Sequence, residues 1–126
     1  MTMKKKILIV DDEPNIVMSL DYLLRKNNFE VFIARNGNEA LKLLESEVPD
    51  LMLLDIMMPD VDGYEVCMHV KSNEKYKGVK VVFLSAKSKQ EDIEKGYAMG
   101  ADLYLTKPFS TRNLVKSIEE ELTKNN

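Results

Sequence analysis

Apolar residues in this chain come in short unbroken runs, and each run hands over to polar side chains. Ile7-Leu8-Ile9-Val10 leads into Asp11 and Asp12, Leu51-Met52-Leu53-Leu54 into Asp55, Val81-Val82-Phe83-Leu84 into Ser85, and Leu103-Tyr104-Leu105-Thr106 into Lys107. Runs this short and this apolar read as buried strands. With Glu30 to Ala34 as a further one, strands are expected to begin near residues 6, 30, 50, 79 and 102. The gaps of roughly 20 to 30 residues between them suit βαβ crossovers.

Between the runs the apolar period lengthens to that of a helix. The first helix is expected to open at Pro14, where the missing N–H costs nothing, with Ile16, Leu20, Leu23, Leu24 and Asn27 inward, and to end at Asn27-Asn28. The second spans Gly37 to Glu47, with Ala40, Leu41, Leu43 and Leu44 inward, and stops before Pro49. After the loop Met57 to Gly63 a third helix carries Tyr64, Cys67 and Val70, and a fourth runs from Ser88 to Met99 around Ile93 and Tyr97. Ser110 can cap the fifth, whose Leu114, Val115, Ile118 and Leu122 recur at helical spacing before the solvated Lys124-Asn125-Asn126. Alternating strands and helices make an α/β protein. The third and fourth strands are apolar throughout, as central strands covered on both faces must be. We therefore expect a three-layer α/β/α sandwich around a five-stranded parallel sheet of order 2-1-3-4-5, with a cleft between the first and third strands.

Length and composition narrow this picture without changing it. The 126 residues suit one domain, 1–126, able to bury its own core. Eighteen Lys and Arg against 21 Asp and Glu give a net charge of −3, which argues against a nucleic-acid-binding module. Cys67 is the single cysteine, so an internal disulfide and a thiolate zinc cluster are excluded and a reducing cytoplasm fits best. The opening Met-Thr-Met-Lys-Lys-Lys precedes an apolar run of four, too short for a signal peptide or a membrane span.

The chemistry lies in the residues that end the strands. Ligands of open parallel sheets bind beside the strands' carboxyl ends, so Asp11, Asp12, Asp55, Ser85 and Lys107 should meet in one shallow cleft. Clustered carboxylates repel one another where water is partly excluded, and the cleft calls for a cation. Oxygen ligands without His or Cys favour Mg²⁺, or Mn²⁺, over zinc. Asp12 and Asp55 are expected to ligate it directly and Asp11 through water. A carboxylate so placed can attack a phosphoryl group to give an aspartyl-phosphate, with Lys107 neutralising charge on the transferred oxygens. Asp55 is the expected nucleophile, because it ends a fully apolar central strand. Aspartates after strands also cap turns, which explains any one of these residues better than it explains all of them on one side of a sheet.

Over nearly its whole length the chain resembles a response-regulator receiver domain of two-component signalling. The resemblance rests on Ile7 to Glu13, on Leu53 to Pro59 with Asp62-Gly63, on Leu84-Ser85-Ala86, on Gly100-Ala101-Asp102 and on Tyr104 to Phe109. It implies a flavodoxin-like fold in which Asp55 accepts phosphate from a sensor histidine kinase or histidine phosphotransfer protein. Asp11 and Asp12, with the carbonyl of Met57, would arrange Mg²⁺ beside it, and Lys107 would contact the phosphoryl group. Ser85 takes the switch-hydroxyl position and Tyr104 that of the switch aromatic, and the Lys107-Pro108 bond is expected to be cis. Driving a two-state equilibrium from 1:99 to 99:1 takes about 5.5 kcal/mol, and two charge-assisted hydrogen bonds at roughly 1.5–3 kcal/mol each supply that. Ser85 would move toward the phosphate and Tyr104 into the space it leaves. The fourth helix, fifth strand and fifth helix would then present a changed surface to an output protein, with no nucleic acid or membrane involved. The chemistry would be confined to the domain's own phosphorylation and dephosphorylation.

Leu103 stands where winged-helix regulators usually carry a second acid, and Ser117 where they carry a basic residue, which weakens the case for their dimer; Leu103 and Ile93 could instead form an apolar docking patch. Met57 and Lys87 beside the site imply slow self-dephosphorylation. Asp60 to Gly63 resembles a calcium loop, but Tyr64 and Lys71 stand where ligands are required. His69 falls on the third helix and is assigned no role. A haloacid-dehalogenase-type phosphohydrolase would need a second Asp at Met57, and a flavodoxin-like cofactor binder a phosphate loop after the first strand. A receiver excised from a longer transcriptional regulator would look identical to a stand-alone one.

Overall fold

The computed structural model describes residues 4–124. Asn125 and Asn126 of the expected solvated end, and the first three residues, lie outside that range. The strands are β1 (Lys6–Val10), β2 (Glu30–Ala34), β3 (Leu51–Leu54), β4 (Lys80–Ser85) and β5 (Leu103–Thr106). The helices are α1 (Pro14–Lys26), α2 (Gly37–Ser46), α3 (Gly63–Lys71), α4 (Gln90–Ala98) and α5 (Thr111–Thr123), with a 3₁₀ turn at Glu74–Tyr76 that the pattern did not signal. All pairings are parallel and the sheet order is β2-β1-β3-β4-β5, as expected.

That order reverses the direction of travel after β2. With right-handed crossovers, the reversal sends α1 to one face of the sheet and α2 to the other. Successive side chains of a strand point to opposite faces, so each strand feeds two cores. Ile7, Ile9, Leu51, Leu53, Val82 and Leu84 pack with Leu20 and Leu24 of α1 and Leu114 and Ile118 of α5. Leu8, Val10, Met52, Leu54, Val81 and Phe83 pack with Ala40 and Leu44 of α2 and Val66, Cys67 and Val70 of α3. Every residue of β3 and β4 is buried, in keeping with their central place.

Helix ends follow their caps. Asn36, Asp62 and Ser110 each accept a hydrogen bond from the backbone N–H three residues on, and Pro14 opens α1. The differences from expectation concern stripes and bounds. In α1 Val17 is buried alongside the expected Leu20 and Leu24, whereas Asn27 is exposed and serves as the C-cap, donating from its side chain to the Leu23 carbonyl at 2.8 Å. Helix α2 stops at Ser46, one residue early, and α4 is shorter than the expected Ser88 to Met99. Tyr97 of α4 is 44% exposed rather than inward, because Gly96 is the residue that faces the sheet. The Lys107-Pro108 bond is cis, as expected.

Candidate functional site

The carboxyl ends of β1, β3, β4 and β5 share one edge of the sheet, and register brings their terminal residues level. Val10 pairs with Leu54, Leu54 with Phe83 and Ser85 with Thr106. Asp11, Asp55 and Lys107, which follow β1, β3 and β5, therefore lie together at this edge with Ser85, which ends β4. Asp55 amide donates to the Val10 carbonyl at 2.9 Å, which anchors the residue to β1. One carboxylate oxygen from each of Asp11, Asp12 and Asp55 lies within 4.8 Å of the others. Asp11 and Asp55 are 2% and 5% exposed, while Asp12 is open to solvent. The cluster is thus two sunken carboxylates under one accessible one.

Lys107 answers this charge. Its Nζ lies 2.9 Å from Asp11 Oδ2, 3.2 Å from Glu13 Oε1 and 3.8 Å from Asp55 Oδ2. Burial works against the ammonium, but the bonds to Asp11 and Glu13 and the charge of Asp55 outweigh it and hold its pKa above the usual lysine value. Asp55 shows the converse balance. Burial, aided by Asp11, lifts its carboxyl above the usual value, although Lys107, the Ile56 N–H at 2.8 Å and the Ser85 hydroxyl pull the other way. Glu13 is a contact that sequence reading did not single out. Its signal was present as a third consecutive acid after β1, but only the return of β5 shows that it reaches Lys107.

Ser85 is fully buried at the end of β4, and its Oγ accepts the Lys87 N–H at 3.3 Å. Tyr104 lies inward, 7% exposed, with its ring 5.7 Å from that of Phe83 and its hydroxyl donating to the Lys87 carbonyl at 2.7 Å. The ring is thus inward while the Ser85 hydroxyl remains on the Lys87 N–H. Met57, in the loop after β3, is 58% exposed. Asp102 belongs to the floor of the fold: it accepts from Lys71 Nζ at 2.7 Å and from the Val81 N–H at 2.8 Å, far in sequence from both. His69 is exposed on α3, its ring 6.0 Å from that of Tyr76.

The donor set fits a hard divalent cation. All its ligand atoms are carboxylate oxygens, two of them are sunken, and one side is open, as Mg²⁺ with retained waters requires. The model for the response regulator receiver domain matches residues 7–119. The chain belongs to that family. The receiver is similar in structure to a response regulator from Chloroflexus aurantiacus J-10-fl, with 31% identity, a TM-score of 0.92, and 97% of this chain and 100% of that one covered. It is likewise similar to a CheY-like receiver domain protein from Methanospirillum hungatei JF-1 at 34% identity and a TM-score of 0.87, covering 95% and 94% of the two chains. A third likeness is to the signal receiver domain of a signal transduction histidine kinase from Syntrophus aciditrophicus, at 31% identity and a TM-score of 0.88, covering 97% and 94%. Among the described residues, no helix of this receiver is long and apolar enough to cross a membrane.

Proposed function

We propose that residues 1–126 form one phospho-accepting receiver in which Asp55 takes a phosphoryl group from a sensor histidine kinase or a histidine phosphotransfer protein. The observation that carries this reading is the sunken Asp55 carboxylate beside Asp11 and Asp12, with the Lys107 ammonium 3.8 Å away. An oxygen of Asp55 attacks phosphorus, the bond from phosphorus to the donor imidazole nitrogen breaks, and that nitrogen leaves with the electron pair. Asp11, Asp12 and Asp55, with the Met57 carbonyl, would hold Mg²⁺, or Mn²⁺, whose charge offsets that of the carboxylates and the transferred oxygens. Lys107, parked between Asp11 and Glu13, has a short distance to travel to reach a phosphoryl group on Asp55. Ser85 can turn its Oγ from the Lys87 N–H to a phosphoryl oxygen.

Because Lys87 is also held by the Tyr104 hydroxyl, that turn alters the loop that starts α4. The surface of α4, β5 and α5 then changes for an output protein in the cytoplasm. Leu103 and Ile93, expected to share one apolar docking patch, are half-buried against different layers, Leu103 on the α1 and α5 side of the sheet and Ile93 on the α2 and α3 side.

The test is mass spectrometry after incubation with a competent phosphodonor and Mg²⁺. One added phosphoryl group at Asp55 is expected, absent from Asp55→Asn and lost on chelation of the metal. Phosphorylation that persists in Asp55→Asn at the wild-type level would refute the assignment.

A further inference from the structure

Helix α4 is held to the sheet differently from its neighbours. Gly96 is its one buried residue, and its N-cap, Lys89, makes no side-chain capping bond. Tyrosines from other elements supply much of its attachment. Tyr64, in the first turn of α3, is 7% exposed, and its hydroxyl donates to the Asp92 carbonyl in the first turn of α4 at 3.2 Å. The Lys95 ammonium of α4 stands 4.4 Å from the centre of the Tyr64 ring, within cation–π range. The edge of that ring meets Phe83 of β4 at 5.7 Å.

Tyr64 is also bound to the loop that carries Asp55. The Gly63 amide donates to the Ile56 carbonyl at 3.0 Å. A Cβ on Gly63 would sit 2.7 Å from Ile56 Cα and closer still to the Asp55 carbonyl oxygen. Only glycine lets α3 start flush against the backbone of Asp55-Ile56. The phenol that supports α4 therefore rides on the peptide next to the nucleophile.

From this geometry we propose that Tyr64 is a second coupling residue, which passes a displacement of the Asp55-Ile56 backbone to α4 by a route separate from Ser85 and Tyr104. The proposal rests on the phospho-accepting reading above. A hydroxyl bond is directional, and a helix with little apolar surface to bury follows its few directed bonds when they move. Ser85 and Tyr104 act on the backbone of Lys87, ahead of α4, whereas Tyr64 acts on the Asp92 carbonyl within it, and a 3.8 Å ion pair between the Lys87 and Asp92 side chains links the two points. The helix thus has two handles, one on each side of Phe83.

The experiment is amide hydrogen exchange of the whole chain, with and without Mg²⁺ and beryllofluoride, in wild type, Tyr64→Phe, Ser85→Ala and the double variant. Tyr64→Phe keeps the ring on Phe83 and deletes the hydroxyl bond alone. In the resting protein its α4 amides should exchange roughly threefold to tenfold faster, the span one hydrogen bond supports, with α5 amides unchanged. Each single variant should keep part of the beryllofluoride response of α4, and the double variant should lose it. Unchanged α4 exchange in Tyr64→Phe overturns the proposal, and so does complete loss of the response in Ser85→Ala alone. Fluorine NMR of bound beryllofluoride separates the two readings. No bound signal in wild type refutes the phospho-accepting reading and the coupling with it, whereas a bound signal with unaltered α4 exchange refutes the coupling alone.

Discussion

Helices α5 and α4 flank the same edge strand, β5, and are fastened by opposite means. Helix α5 buries Leu114 and Ile118 against Leu84, Val82 and the leucines of α1, a non-directional attachment in proportion to the area removed from water. Helix α4 offers Gly96 and a half-buried Ile93, and is secured by the hydroxyl of Tyr64, the ring of Tyr104 and the carbonyl of Gly96, which accepts from the Ala101 amide at 3.2 Å. Apolar burial resists displacement in every direction. A helix hung from a few directed bonds can shift when one donor moves, at the cost of that bond alone. The difference explains how one side of β5 can serve as scaffold and the other as a movable surface.

The scaffold side should break hardest. Leu114→Ala deletes a buried side chain from a packed layer and is expected to cost about 2–5 kcal/mol in urea denaturation. Ile93→Ala on α4, which starts half-buried, should cost about 1 kcal/mol.

Alkali should act on the other layer. Burial is the main reason that Cys67 is pushed up to about 11 and Tyr104 to about 12. Both groups are acids kept neutral by the fold, so their stabilising contribution is whole below their ordinary values of 9.0 and 10.0 and is lost as pH rises through 11 and 12. About 2–3 kcal/mol per group should disappear over that window, and Tyr104→Phe should flatten the part between pH 10 and 12 in thermal melts.

The smallest effect sharpens the contrast most. Helix propensity alone would make Gly96→Ala stabilising by about 1 kcal/mol. A Cβ there would stand 2.8 Å and 3.1 Å from two ring carbons of Tyr104 and 3.2 Å from Phe83. The contact should reverse the sign, giving a net loss of about 1 kcal/mol and an outward shift of Tyr104 visible in its ring NMR signals.

How far the sequence could be read depended on how much each element buries. Strands β1, β3 and β4 each carry an unbroken apolar run, and their carboxyl ends are plain from the point where polarity begins. Helices α2 and α5 have strong stripes, and their bounds match the pattern within a residue or so. Helix α4 is short and mostly polar, so a reading built on its largest residues put Tyr97 inward. In the fold Gly96 faces the sheet, and the Tyr97 hydroxyl instead receives the Tyr104 N–H at 3.1 Å on the strand edge. In α1 the apolar residues exceed the inner face, and Val17 is inward where the spacing points to Asn27. Glu13, Tyr64 and the Lys71–Asp102 pair were invisible as contacts, since each joins residues that topology alone brings together.

By itself the chain's pattern determined a parallel α/β sandwich and the gathering of Asp11, Asp12, Asp55, Ser85 and Lys107 at one edge. Burial period and strand-end polarity are local properties, and parallel pairing carries every strand end to the same side. Only the tertiary structure decided which carboxylates are sunken, where the Lys107 ammonium rests and which hydroxyls hold α4. Those outcomes turn on distances of a few ångströms between residues up to 96 positions apart, which no local pattern encodes.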